Sequence, residues 1–301
     1  MAEVRKVLFI VNKFAGGGYQ PELEGRIIQG CSARGVEAQI QFTKGPHHAI
    51  TLARTATQSD VDMIVASGGD GTINEVAQGI FGSGKIMGIL PRGSGNGLAR
   101  HLAIPLSFAE SLNTLLNGEV LAMDTFTLNG KLSLNVSGIG FDGHIANLFG
   151  GKTKRGLTGY ARLALSEFFQ FEEFNAAISI AGATVEKKCF VLAVANSSQY
   201  GNNAWIAPAA SVSDGILHVN ILRKMPLYRF DIVYAFFNKT IDRSKYSEIQ
   251  EATNFTVETS TEIAYHVDGE PCGTSSRFDI VMQPSTLPVI VPTKSKGLRI
   301  L

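Results

Sequence analysis

The chain has 301 residues, of which 45% are hydrophobic and 18% are charged, and its formal net charge is +1. This composition excludes global disorder, and the near-neutral charge excludes nucleic acid as the main partner. The length suits two ordinary domains or one large α/β domain. No apolar run is long enough to predict a transmembrane segment, so any membrane contact is expected to be peripheral. Three scattered cysteines predict buried, reduced thiols and a cytoplasmic protein: Cys31, Cys189 and Cys272.

The first 125 or so residues alternate between strand-like and helix-like segments. Short apolar runs predict buried strands at 7–11, 36–42, 61–66 and 86–90. The segments between and after these runs predict helices at 23–33, 49–56, 73–80 and 108–116. Repeated strand–turn–helix units imply a parallel sheet with helices on both faces, and ligands of such sheets bind beyond the carboxyl ends of the strands.

From about Asp124 onward the pattern changes to an alternation of apolar and polar residues, as in 217–222 and 263–267. This alternation predicts a second domain of mostly antiparallel sheet, with helices at 160–169 and 227–240. We place the first domain at 1–124 and the second at 125–289. The apolar end of the chain, 290–301, is expected to return and complete the first domain.

Glycine-rich turns follow three of the predicted strands, where glycines let backbone N–H groups approach a phosphate. The first turn, 12–18, is equally compatible with a flexible connecting loop. The second, 68–75, places Asp70 in a turn suited to anions. An acid there favours a role through Mg²⁺, a water or an acceptor hydroxyl, and the alternative is a cap of the following helix.

The third turn, 91–100, combines a glycine-rich backbone with polar and basic side chains. Ser94 and Asn96 offer hydrogen bonds, and Arg92 and Arg100 offer positive charge. A plain connecting loop is the alternative.

These turns, in this order, resemble the catalytic domain shared by diacylglycerol kinases, sphingosine and ceramide kinases, and bacterial lipid kinases. The resemblance spans nearly the whole chain and rests on five segments: 68–74, 91–100, 137–142, 207–217 and 267–270. It implies a Rossmann-like parallel-sheet domain of the phosphofructokinase and NAD kinase type, followed by an antiparallel β-sandwich, with a nucleotide cleft between them. It also implies an enzyme that uses ATP and Mg²⁺ to phosphorylate a lipid at a membrane surface.

The family's functional residues carry over to matching positions. The family's nucleotide contacts fall on these residues of the first domain: Asn12, Gly16, Thr43, Gly68, Gly69, Asp70, Gly71, Thr72, Ile73, Asn74 and Ser94. We add Asn96 to this set. Glu270 matches the proton acceptor of bacterial members. Asp268 lies on the same face if this segment is a strand, as an orienting partner or an alternative base, and a solvated turn is the alternative. Asp142 matches the acid that contacts the lipid head group. A structural Mg²⁺ falls on Ser211, Asp214 and the Ile216 carbonyl.

Two positions depart from the family pattern. Lys13 stands where many relatives have proline, and Gly97 stands where many bacterial diacylglycerol kinases have aspartate. The missing acid weakens the case for diacylglycerol as substrate. Two alternatives stay open: a kinase of a soluble acceptor such as NAD, since NAD kinases share Gly-Gly-Asp-Gly-Thr, and an inactive nucleotide or lipid sensor. The identity of the lipid and the oligomeric state, for which a homodimer is one option, also stay open.

Overall fold

The computed structural model describes residues 4–16, 18, 20–150, 157–226 and 230–293. The chain forms two compact units, one of Met1–Met123 with Ser285–Leu301 and one of Asp124–Pro284. The division falls one residue before the expected boundary at 124, and the returning segment starts at Ser285 rather than at 290. Across these described ranges, the helices are all too short or too polar to cross a membrane.

The first unit alternates strands with helices along the chain. Its elements are β1 (Lys6–Val11), α1 (Glu22–Ser32), β2 (Glu37–Phe42), α2 (His48–Ala56), β3 (Met63–Gly68), α3 (Asp70–Ile80), β4 (Ile86–Pro91), α4 (Gly97–His101) and α5 (Phe108–Asn117). The strands are parallel in the order β2–β1–β3–β4, and the end of the last strand of the chain adds Val289 in parallel beside Met87. The predicted parallel sheet is therefore confirmed.

Burial explains why these runs form central strands. β1 and β3 are buried along almost their whole length, as expected for strands that are covered on both faces. On one face, Phe9 and Val65 join a core to which α1 and α5 contribute Ile27 and Leu112. α2 and α3 pack closely against each other at Gly79, where an added Cβ would lie only 2.6 Å from a carbonyl oxygen of α2.

The second unit is built mainly from antiparallel strands. Its elements are β5 (Glu119–Leu128), β6 (Lys131–Ser133), β7 (Val136–Gly140), α6 (Phe141–Gly150), α7 (Leu157–Gln170), β8 (Phe174–Ile180), β9 (Ala183–Cys189), β10 (Val191–Ala195), β11 (Gln199–Gly201), β12 (Ala204–Trp205), β13 (Leu217–Leu222), α8 (Phe230–Phe237), β14 (Ser247–Ala252), β15 (Asn254–Val267) and β16 (Glu270–Val291). The strand order is β14–β13–β10–β7–β15–β16, with β8 beside β15 and β9 beside β8. The antiparallel pairings confirm the predicted β-sandwich domain.

Side chains on the two faces of β10 enter different cores. Leu192 and Val194 join one cluster with residues of β13, β15 and β16, whereas Val191 and Ala193 join a second cluster with residues next to α7 and α8. This alternation is the period-2 pattern of a strand with both faces covered.

Three features of the second unit differ from the predictions. β13 is buried on both faces instead of one, and its Asn220 donates to the Ile206 carbonyl and accepts from the Ser247 hydroxyl. Helix α6 was not predicted, because Asp142, Gly143 and His144 near its start have low helix propensity. Cys272 is half-buried rather than buried, although all three thiols are free as predicted. Residues 294–301, which belong to the predicted returning segment, lie outside the described residues.

Candidate active site

The three glycine-rich loops of the first unit meet at the carboxyl ends of β1, β3 and β4. Backbone hydrogen bonds join Asn12 N to the Ser67 carbonyl at 3.0 Å and Arg92 N to the Gly68 carbonyl at 2.7 Å. A Cβ at Gly16 would overlap the Arg92 carbonyl, and a Cβ at Gly69 would lie 3.1 Å from the Gly93 Cα. The loops are therefore so close that side chains at these glycines would push them apart.

Arg92 connects the first loop to the third. Its guanidinium donates to the Gly18 carbonyl at 2.8 Å and to the Asn12 carbonyl at 3.4 Å. Burial lowers the pKa of this guanidinium, which still stays charged at neutral pH. Arg100 donates in the same way to the Gly95 carbonyl at 3.0 Å. Both arginines thus bind loop carbonyls, a use that their charge alone did not predict.

Asp70 is the first residue of α3, and the helix N-cap is Gly69. Asp70 is therefore not the cap that the sequence offered as the alternative to a chemical role. A Cβ at Gly95 would lie 3.2 Å from Asp70 Oδ2, so the carboxylate lies against the backbone of the third loop. The first backbone N–H groups of a helix have no partner within that helix, which makes this end suited to anions.

A hydrogen bond between side chains joins the first loop to the second. Asn12 donates through Nδ2 to the Thr72 hydroxyl at 3.0 Å and accepts the Phe14 N–H at 2.9 Å. A Cβ at Gly68 would collide with Thr72. Ile73 lies in the core and donates its N–H to the Gly69 carbonyl. Gly71 continues the first turn of α3, which leaves its backbone as its only means of contact.

Two further nucleotide candidates are buried polar residues. Asn74 is buried on α3 and accepts from Gln78. Thr43 is buried at the end of β2, and its N–H donates to the Val11 carbonyl at 2.9 Å. The loop after Thr43 is anchored by Glu75, which the sequence did not single out and which accepts the N–H groups of His47 and Ala49.

The third loop is closed by Asn96. Its side chain bonds both the N–H and the carbonyl of Gly93 at 2.8 Å, and its own φ is 50°. This left-handed conformation suits asparagine better than most residues. Asn96 is buried, whereas Ser94 is exposed at the tip of the loop.

The two acids expected on one strand face are separated in the second unit. Asp268 and Gly269 form the two-residue turn between β15 and β16, with φ values of 49° and 85°, and β16 begins at Glu270. The two acids therefore do not share a strand face, because Asp268 lies in a turn, which was the alternative to a strand at this segment. The Asp268 carboxylate accepts from the Ser133 hydroxyl at 2.6 Å and from two backbone N–H groups, those of Leu134 and Asn135. Glu270 is exposed.

Asp142 lies in the first turn of α6 and is mostly buried, with 12% of its side chain exposed. Its Oδ2 accepts from the Tyr200 hydroxyl at 2.9 Å and lies 3.2 Å from His266 Nε2. The adjacent Gly143 N–H donates to Oδ1 at 2.9 Å. Neither Tyr200 nor His266 was predicted from the sequence, where the one available signal is a polar residue at an inward position of a strand.

The loop predicted to hold a structural metal, 211–216, is bonded to an acid of β5 that the sequence did not single out. Asp124 is buried, and its Oδ2 accepts the Gly215 N–H at 2.7 Å. Asp214 Oδ1 accepts the Ile216 N–H at 3.0 Å. Within the described part of the chain, no three histidine, cysteine, aspartate or glutamate side chains cluster as metal ligands. The Asp124 and Asp214 carboxylates at this loop are oxygen donors, the kind of ligand that Mg²⁺ prefers in proteins.

Comparisons with known proteins match both units. Residues 6–128 match the family of the diacylglycerol kinase catalytic domain, and residues 136–291 match the family of the YegS C-terminal NAD kinase beta sandwich-like domain. A Pectobacterium atrosepticum protein named "Probable lipid kinase YegS-like" is 29% identical, with 95% of each chain covered. A Bacillus subtilis protein named diacylglycerol kinase is 26% identical, with 75% of this chain and 77% of the relative covered.

The fold agrees with these matches. A crystal structure of a Bacillus anthracis protein assigned to the diacylglycerol kinases superposes with a TM-score of 0.79 at 25% identity, covering 95% of this chain and 97% of the other. Because two family models cover successive parts of the chain, this protein belongs to the diacylglycerol kinase catalytic-domain family, a family of kinases, in the form that continues into a YegS-type sandwich domain.

Proposed function

We propose that this protein is an ATP-dependent lipid kinase that transfers the γ-phosphoryl group of ATP to a lipid hydroxyl at the cytoplasmic membrane surface. The observation that supports this most directly is the convergence of three glycine-rich loops at the ends of β1, β3 and β4. Relatives named lipid kinase and diacylglycerol kinase over most of their length support the lipid as acceptor. Three free cysteines are compatible with the reducing cytoplasm.

The first unit supplies the nucleotide contacts in this proposal. Phosphoryl transfer depends mainly on positioning and on neutralising charge, and backbone N–H groups of the loops and of the start of α3 can do both. The Asp70 carboxylate offers hard oxygen ligands, so it would hold Mg²⁺ directly or through water, and the ion would neutralise the phosphate charge. Asn96 and Ile73 act indirectly, because their polar groups already bond within their own loops.

The second unit supplies the acceptor side. We assign the proton acceptor to Glu270 rather than Asp268, because Asp268 already accepts three hydrogen bonds. Exposure leaves the Glu270 carboxylate accessible to a hydroxyl of a bound lipid. Asp142 is assigned to the lipid head group, where its remaining acceptor capacity can receive a hydroxyl or amino group. Ser211, Asp214 and the Ile216 carbonyl would hold a structural Mg²⁺, and Asp124 holds that loop in place by accepting the Gly215 N–H.

The test is a labelling experiment with the purified full chain. The protein is incubated with Mg²⁺ and γ-labelled ATP, first with a total lipid extract and then with diacylglycerol, a sphingoid base, ceramide and phosphatidylglycerol. We expect the label in a lipid. NAD is supplied in a parallel reaction, and label in NAD would show that the protein is a small-molecule kinase instead of a lipid kinase. Bound ATP, measured by calorimetry, without any labelled product would identify a sensor.

A further inference from the structure

His266 is a buried histidine whose two ring nitrogens have different partners. Nδ1 accepts the N–H of Gly269 at 3.0 Å, and Nε2 lies 3.2 Å from Asp142 Oδ2. A backbone N–H can only donate, so Nδ1 is the unprotonated nitrogen of the ring. The ring proton is therefore on Nε2, from which it is donated to the Asp142 carboxylate. The backbone of the turn thus selects the tautomer that binds Asp142.

The Asp142 carboxylate is held on its other sides as well. Tyr200 donates to the same oxygen as His266, and the Gly143 N–H donates to the other oxygen. The carboxylate also packs on Gly138 so tightly that a Cβ at Gly138 would overlap it. Its position is therefore set by neutral donors and by the backbone of β7.

The second partner of His266 belongs to the turn that leads to the candidate base. Gly269 is the second residue of the hairpin turn, and Glu270 follows it as the first residue of β16, opposite Val267. One imidazole ring thus touches both the candidate head-group acid and the turn that carries the candidate proton acceptor. The ring is also shielded from solvent, because His266 is 3% exposed.

We propose that His266 is a positioning residue with two contacts. Its Nε2 fixes the position of the Asp142 carboxylate, and its Nδ1 fixes the position of the Asp268–Gly269 turn that precedes Glu270. This inference rests on the proposed lipid kinase activity and on the roles assigned there to Asp142 and Glu270. It predicts that the two nitrogens act on different kinetic constants, since Asp142 contributes to lipid binding and Glu270 to the chemical step.

Two amide substitutions separate the nitrogens. His266→Asn keeps an acceptor near Nδ1 and loses the donor to Asp142, so KM for the lipid should rise about tenfold with kcat within twofold. His266→Gln keeps a donor near Nε2 and loses the acceptor for Gly269, so kcat should fall about tenfold with KM little changed. Tyr200→Phe removes the other donor to Asp142 and should raise KM as His266→Asn does.

The matched control is His218→Asn, which alters a second buried histidine of the same unit, on β13 opposite Ala195 and Glu251. It should leave both constants within twofold of the wild type. His266 variants that match this control in both constants would overturn the proposal. Equal changes of KM and kcat in the Asn and Gln variants would also overturn it, because they would indicate general loss of structure rather than two separate roles.

A measurement on the unmodified protein is independent of activity. Nitrogen-15 spectra of the histidine rings at neutral pH should show the Nε2–H tautomer for His266. A ring protonated on Nδ1 would exclude the bond from Gly269 and end the proposal even if the variants fail to fold. A wild-type protein without any lipid product, but with the Nε2–H tautomer, would instead remove the proposed function and leave the geometry intact.

Discussion

The candidate site residues of the two units present different chemical groups. In the first unit, the site is made of backbone: three loops approach until a Cβ at Gly16 or Gly93 no longer fits. In the second unit, the site is made of carboxylates that side chains and amides hold in place, as at Asp142 and Asp268. From this difference we expect that substitutions that add atoms to the glycines disturb the first site. Substitutions that remove hydrogen bonds to the carboxylates should disturb the second.

Asp70 is the exception within the backbone-built site, and its replacement should have the largest effect. Asp70→Asn should lower kcat about a thousandfold, because the neutral amide no longer attracts the cation that neutralises phosphate charge. The melting temperature should stay close to that of the wild type. Steady-state kinetics and calorimetry measure both quantities.

The control for Asp70 is Asp60→Asn, which alters an exposed acid paired with Lys6 in the same unit. Exposed ion pairs contribute little to stability, so this variant should behave as the wild type. Near-normal turnover in Asp70→Asn would remove Asp70 from the mechanism.

In the second unit, Glu270 is the candidate for the chemical step, whereas Asp268 has a structural role. Glu270→Gln should lower kcat at least a hundredfold as the proton acceptor is lost, with the free energy of unfolding changed by less than about 0.5 kcal/mol. Asp268→Asn should lower the free energy of unfolding by about 2 kcal/mol, because an amide replaces a carboxylate that accepts two backbone N–H groups. Denaturant titration and kinetics distinguish them, and an inactive but fully stable Asp268→Asn would reverse the assignment of the base.

An added methyl group tests the backbone-built site directly. A Cβ at Gly93 would lie 2.5 Å from the Gly69 Cα, so Gly93→Ala should separate the loops and weaken ATP binding about thirtyfold. Gly25→Ala is the matched control, since nothing lies within 4 Å of that Cβ on α1. It should leave ATP affinity unchanged and raise stability slightly through helix propensity. Equal affinities in the two variants, measured by calorimetry, would contradict the close packing of the loops.

The smallest effect concerns stability against pH in the first unit. Burial lowers the pKa of the His101 imidazole to about 4, below its ordinary value of 6.5. The unfolded chain therefore binds a proton more readily than the folded chain, and stability falls as the pH drops from about 6.5 to about 4. The His101 imidazole should lower the free energy of unfolding by about 2 kcal/mol between pH 7 and pH 5.

His101→Leu should lose that part of the pH dependence in denaturant titrations at the two pH values. The exposed His47 is the control, and His47→Asn should keep the wild-type dependence because asparagine tolerates its φ of 62°. A His101→Leu protein that is as pH-sensitive as the wild type would show that burial of His101 is not the cause.

Much of the fold follows from local pattern. Uninterrupted apolar runs such as 7–11 identify strands that are buried on both faces, and glycines after them identify the loops. The pattern failed where neighbours override propensity. Helix α6 forms despite the low helix propensity of its first turn because it packs on β15, and β13 buries Asn220 because Ile206 and Ser247 satisfy its amide.

The sequence by itself determined the alternation of strands and helices in the first unit and the positions of the glycine-rich turns, because those depend on neighbours within a few residues. It also determined the family, because five short segments follow one another along the chain in the family's order. Only the tertiary structure decided which side chain does what. Arg92 binds loop carbonyls, Asp268 caps a segment 133 to 135 residues away, and His266 selects its tautomer from a turn amide. The physical reason is that a hydrogen bond depends on the position of its partner in space, and for Arg92 and Asp268 that partner is remote along the chain.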